Sequence, residues 1–113
     1  MKIFDISDLQ NFLEIAQKKS GCVAGLRYCK AAIRVKYNTF GGDYTVVLQS
    51  YAHDTITLDC EASGRVILAD FNPYGSVTTW QHARKFCALF QNGRELYRAY
   101  SEAAHGGRLN RYF

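Results

Sequence analysis

Long apolar runs are missing from this chain, and none approaches the roughly 20 residues that a bilayer-crossing helix needs. Met1-Lys2-Ile3-Phe4-Asp5 leads into an amphipathic segment, not into the apolar core of a signal peptide. A place in the cytoplasm is therefore expected, with no membrane partner. Cysteine is sparse and scattered: Cys22, Cys29, Cys60 and Cys87 form no Cys-x-x-Cys pair, so neither a zinc ribbon nor a redox dithiol is indicated. In a reducing compartment these are expected to be small core residues or free thiols. Proline occurs once, as Pro73.

Motifs for catalysis are equally thin. Phe40-Gly41-Gly42-Asp43 and His105-Gly106-Gly107-Arg108 lack the strand–loop–helix setting and the Lys-Ser/Thr ending of a phosphate-binding loop, and read as turns. A cysteine nucleophile needs an imidazole beside it. His82 and Cys87 stand five residues apart, which on one helix points them in different directions. His53-Asp54 falls between two strands, where neighbours face opposite sides, and reads as a surface turn. The acids pair at no motif spacing. No catalytic residue, cofactor or metal is expected, and the chain is read as a binding protein and not an enzyme.

What is present is a packable composition. The 113 residues are 48% hydrophobic, with eight Tyr and seven Phe, which suits one α+β domain spanning 1–113. Ser7-Asp8-Leu9-Gln10 has capping-box spacing, and Leu9, Phe12, Leu13 and Ala16 make one face of a helix over 7–19. Residues 22–30 show no clear period and read mostly as an irregular connection. From Ala32 the alternation is plain: Ile33, Val35 and Tyr37 face one way, Arg34 and Lys36 the other. The same pattern recurs over 44–50, over 54–60 (Ile56, Leu58 and Cys60 against Thr55, Thr57 and Asp59) and over 65–70. An antiparallel four-stranded meander follows, packed by the N-terminal helix and by one or two C-terminal helices.

Asn72-Pro73-Tyr74-Gly75 reads as a tight turn delivering the chain into a helix that starts at Thr78 or Thr79 and ends near Asn92-Gly93. Trp80, Ala83, Phe86, Cys87 and Phe90 fall on its inward face, and His82, Arg84 and Lys85 on its more exposed side. A last helix over 94–105 carries Leu96, Ala99, Tyr100 and Ala103 at helical spacing and stops at Gly106-Gly107. The tail, Arg108-Leu109-Asn110-Arg111-Tyr112-Phe113, is too short to fold by itself.

Charge is distributed unevenly. Residues 1–79 hold eight Lys and Arg against eight Asp and Glu, while 80–113 hold six against two, so the whole net charge of +4 lies in the last third. Arginine interleaved with Tyr and Phe suits both phosphates with bases and protein hot spots. His82, Arg84, Lys85, Arg94, Tyr97, Arg98, Arg108, Arg111 and Tyr112 are the expected binding residues. A net charge of +4 is modest for a dedicated nucleic-acid binder, which favours a protein partner.

Ser50-Tyr51-Ala52-His53-Asp54-Thr55-Ile56-Thr57, followed by Gly64-Arg65-Val66 and by Tyr74-Gly75-Ser76-Val77-Thr78-Thr79-Trp80-Gln81-His82, resembles small bacteriophage and mobile-element proteins. In these a Ser-Tyr strand precedes a Tyr-Ser-x-Thr-Thr-x-x-His helix entry; here Gly75 is inserted after the tyrosine. The resemblance covers residues 32–90, implies an α+β domain of phage-like origin, and carries over no catalytic residue. By analogy of class, such proteins include inhibitors of host defence, among them anti-CRISPR proteins. It implies a bacterial protein or ribonucleoprotein as partner, with a nucleic-acid-binding accessory role as the alternative.

Overall fold

Strict alternation gives each middle segment one apolar and one polar face, and a sheet is the arrangement that hides the first while wetting the second. The computed structural model describes residues 23–28, 31–37, 42–73 and 77–113. β1 (Val23–Tyr28), β2 (Ala31–Tyr37), β3 (Tyr44–Ser50), β4 (His53–Cys60), β5 (Val66–Phe71) and β6 (Leu109–Tyr112) form one antiparallel sheet in chain order. Helices α1 (Val77–Cys87) and α2 (Gly93–Gly106) lie in the chain between β5 and β6.

The class is α+β as expected, but the sheet has six strands and not four. Both additions are made by pairing, not by pattern. β1 falls in the expected irregular connection, yet it runs in continuous register along β2 from Val23↔Lys36 to Tyr28↔Ala31. β6 recruits the tail by laying it along β5, from Leu68↔Tyr112 to Phe71↔Leu109. The expected helix over 7–19 lies outside the described residues.

On the inner face Ile33, Val35, Val46, Leu48, Ile56, Leu58, Val66 and Phe71 are buried, as their alternation requires. The outer face is polar: Arg34 and Gln49 both donate to Asp54, at 3.0 and 2.8 Å, and Thr45 donates to Asp59 at 3.1 Å. Thr55 departs from its expected outward place. The β3–β4 register shifts between Leu48 and Gln49, so Thr55 is carried inward and buried.

The turn that joins β3 to β4 holds two non-glycine residues in the left-handed region, Tyr51 at φ 54° and Ala52 at φ 64°. Each such residue carries a cost of about 1–2 kcal/mol. Ala52→Gly is therefore expected to raise stability by about 1 kcal/mol, the strain relieved outweighing the added freedom of the unfolded chain. Urea denaturation of the two proteins checks it.

α1 packs on β3, α2 packs on β5 and β6, and the two helices pack on each other. Trp80 inserts between them, meeting the Tyr97 and Tyr100 rings edge-on at 6.2 and 5.1 Å between centroids. α1 stops at Cys87, five residues short of its expected end. The Leu89 amide turns back to the Phe86 carbonyl at 3.1 Å and the Phe90 amide to the Cys87 carbonyl at 3.1 Å, tightening the chain to i→i+3 bonds. Phe90 stays buried all the same, its ring 5.3 Å from that of Phe86.

Gly93 opens α2 with its Cα against the preceding helix: a Cβ there would stand 2.5 Å from the Cys87 carbonyl oxygen, which only glycine avoids. α2 ends at the expected stop, with Gly107 at φ 97° and its amide donating to the Ala103 carbonyl at 2.6 Å. Cys60 and Cys87 are buried as expected, and burial pushes both thiols up to about 12, far from reactive. Cys22 and Cys29 lie outside the described residues. No helix among the described residues is long and apolar enough to cross a membrane.

Candidate functional site

Two places gather the residues that the sequence singles out. The first joins the end of β3 to α1. On a helix, positions 79, 82, 83 and 86 share one face, and in α1 that face is the buried one: Thr79, His82, Ala83, Phe86 and Cys87. Ser50, the last residue of β3, brings its Oγ to 2.9 Å from Thr79 Oγ1 and 3.1 Å from His82 Nδ1. Ser50 has one proton to give and two lone pairs, so it donates to at most one of these neighbours and accepts from the other or from both. His82 is only 2% exposed, which corrects its expected place on the outward side beside Arg84 and Lys85. The physical reason is this hydroxyl slot, which satisfies an imidazole inside the core.

A serine oxygen at 3.1 Å from an imidazole nitrogen is the spacing of a nucleophile and its base. Here both groups are sealed between helix and sheet, and what they tie together is the strained Tyr51-Ala52 turn and the start of α1. Burial lowers the His82 pKa from its ordinary 6.5. The unfolded chain then binds the more protons, so stability should fall as pH drops below about 6.5 and through the lowered value, by at most about 1.4 kcal/mol per pH unit for this group. His82→Gln is expected to flatten that part of the profile, as followed by thermal melts between about pH 4 and 8.

The second place is a cleft of about 560 Å³ where α1 hands over to α2. Its lining includes Arg84 from the last turn of α1, Phe90 and Asn92 from the connection, and Arg94, Glu95 and Tyr97 from the first turns of α2. The tight i→i+3 connection and the Gly93 contact fix this geometry, since they force the chain to reverse direction within five residues. Two guanidiniums and one carboxylate share the lining with Phe90 and the Tyr97 ring. Asn92 is 6% exposed; its Nδ2 donates to the Val66 carbonyl at 3.4 Å, while its Oδ1 is buried with no partner among the described residues.

The nine expected binding residues thus separate into groups. Arg84, Arg94 and Tyr97 come together in the cleft. Lys85 and Arg98 are exposed on the same two helices but outside its lining. Arg84, Lys85, Arg94 and Arg98 make no ion pair among the described residues. Arg108 and Arg111 are already engaged: Arg108 grips Asp70 with Nε at 3.0 Å and NH2 at 2.5 Å, and Arg111 reaches Glu102 at 3.3 Å while covering the Phe113 ring at 5.5 Å. Tyr112 is 81% exposed on β6. His82 is withdrawn into the core.

Phe90 and Asn92 were not among the expected binding residues, because Phe90 was placed on the inward face of a helix that ended near Asn92-Gly93. It also missed the joining of Ser50 to Thr79, although both stand in the motif that carries the phage resemblance. His53 was expected on a surface turn; it lies half-buried at the start of β4 with Nε2 at 3.1 Å from the Asn72 carbonyl. Comparison with protein-family models, with curated proteins and with solved structures gave no match for this chain.

Proposed function

We propose that this chain is a binding module that docks on an acidic surface of another protein through the α1–α2 cleft, inhibiting that protein one-to-one by covering it. The single observation that carries the reading is the cleft itself: Arg84 and Arg94, which make no ion pair among the described residues, line it together with Phe90 and Tyr97, while Arg108 and Arg111 are occupied by Asp70 and Glu102. Arginine and tyrosine beside a desolvated apolar floor are what interface hot spots are made of. The sealed Ser50–His82 pair supports a packing role for those groups rather than a catalytic one.

The phage resemblance gives the partner its class. On that resemblance the partner is a bacterial defence complex, such as a CRISPR-type nuclease, which is inhibited when a small protein covers part of its surface. The adjacency of Arg94 and Tyr97 also suits a nucleotide, so nucleic acid is the second reading.

Capture from a bacterial lysate, with and without nuclease treatment, separates the two. A protein retained after nuclease treatment, and held with little change from about 50 to 200 mM salt, is the expected result. Loss of all captured material on nuclease treatment, or a steep loss over that salt range, would give the surface to nucleic acid.

A further inference from the structure

Independently of the cleft, we infer that the outer edge of β6 pairs with β6 of a second copy of this chain, antiparallel about a two-fold axis through Arg111. β6 ends the sheet on one side, and no strand among the described residues lies beyond it. In an antiparallel ladder, residues alternate between those that exchange N–H···O=C bonds with the neighbouring strand and those that turn these groups away from it. The Phe113 amide donates to the Ile67 carbonyl at 2.8 Å, which fixes the phase of that alternation. Leu109, Arg111 and Phe113 therefore turn their backbone groups to β5. Asn110 and Tyr112, across from Asp70 and Leu68, point theirs out of the sheet.

This edge is open. Asn110, Arg111 and Tyr112 are exposed, and Tyr112, at 81%, is the most exposed large apolar side chain among the described residues. Open edges are ordinarily kept from pairing by free charge, by proline or by bulges. β6 has no proline, its register along β5 is unbroken, and the arginines on and beside it are occupied, Arg111 by Glu102 and Arg108 by Asp70.

The edge is also complementary to itself. With the axis at Arg111, Asn110 stands opposite Tyr112 of the second copy, and each such pair exchanges both of its outward bonds. On the inner side Leu109 falls opposite Phe113 of the second copy; in one chain each of the two is only half-buried against the core. At the axis two Arg111 guanidiniums meet, each bringing the Glu102 carboxylate it holds at 3.3 Å, so positive and negative groups come together in equal number. The two-fold contact uses up both β6 edges, which stops it at a pair of chains. A four-residue edge is short, so the dimer is a weak one that forms with rising concentration.

Sedimentation of the full chain from about 10 µM to about 1 mM tests this, with ¹⁵N amide shifts recorded over the same series. A monomer passing to a dimer is expected, with concentration-dependent shifts centred on the Asn110 and Tyr112 amides. Asn110→Pro removes an outward donor that β5 does not use, and Tyr112→Lys sets a free charge on the edge. Each should lower the association constant about tenfold or more. Neither touches the ladder to β5, so the melting temperature of each should stay within about 2 °C of the parent. Where a moved Phe113 amide shows that Asn110→Pro has displaced β6, Tyr112→Lys decides alone. A chain that stays monomeric to about 1 mM, or a dimer whose association constant is not lowered, would overturn the inference. Shifts centred instead on residues 23–28 would give the contact to the β1 edge and overturn it equally.

Discussion

Phe86→Ala is expected to remove about 3–5 kcal/mol of stability, the largest loss from any single truncation in α1. The ring is wholly buried at the C-terminal end of the inward face of α1, and it meets the Phe90 ring at 5.3 Å. Its removal leaves a void that neither neighbour fills: Ala83 is too small, and Phe90 is fixed by the i→i+3 turn that follows α1. A domain of this size is stable by about 5–15 kcal/mol, so the loss is a large share of the whole. The melting temperature should fall by roughly 10–20 °C. Val77→Ala, at a site 76% exposed on the same helix, should change stability by less than about 0.5 kcal/mol and serves as the comparison. Thermal and urea unfolding of the three proteins measures both.

Reversing the cleft charges, Arg84→Glu together with Arg94→Glu, is expected to weaken binding of the captured partner about a hundredfold, or about 2.7 kcal/mol. The same reversal at Arg108 and Arg111 should change it less than about threefold. The two pairs of arginines have equal charge and differ in what they already hold. Arg108 and Arg111 are bound to Asp70 and Glu102 on exposed surface, where such pairs contribute little and their loss is local. Among the described residues Arg84 and Arg94 have no such pair, and they border an apolar cleft. Folding should be unaffected in the cleft variant, since both side chains are exposed. Surface plasmon resonance at fixed salt reads all three affinities.

The middle of the sheet was legible because its physics is local. In β2, β3 and most of β4, alternate residues are apolar and buried, with Ser50 at the end of β3 the polar member of the same face. β1 was not legible, since Gly25 and the run Val23-Ala24-Gly25-Leu26 show no period. What makes it a strand is the neighbouring edge of β2. β6 is polar and four residues long, and it too exists by virtue of the strand it joins. Thr55 was misplaced by one irregularity, the register shift in β3–β4, which no alternation pattern announces.

For the site, the identities were more legible than their grouping. The positive charge of the last third is real in the structure, yet only part of it is available to a partner. Ion pairs to Asp70 and Glu102, residues 38 and 9 positions away in sequence, take the rest. His82 misled because a polar residue flanked by Arg84 and Lys85 reads as a solvent face. Thr79, His82 and Phe86 at spacings of three and four would have shown the buried face had Thr and His been counted as able to be satisfied inside. Asn92-Gly93 was read as a helix end, when it is both the end of a turn and the beginning of α2.

Hydrogen–deuterium exchange on the chain, alone and with the captured partner bound, tests most directly whether the α1–α2 cleft is the docking surface. Slowed exchange is expected at the amides of residues 88–97, with those of the outer sheet face unchanged. Protection confined instead to the hollow of about 230 Å³ lined by Arg34, Lys36, Thr45 and Val47, or to the β6 edge, with residues 88–97 exchanging as in the free chain, would contradict it.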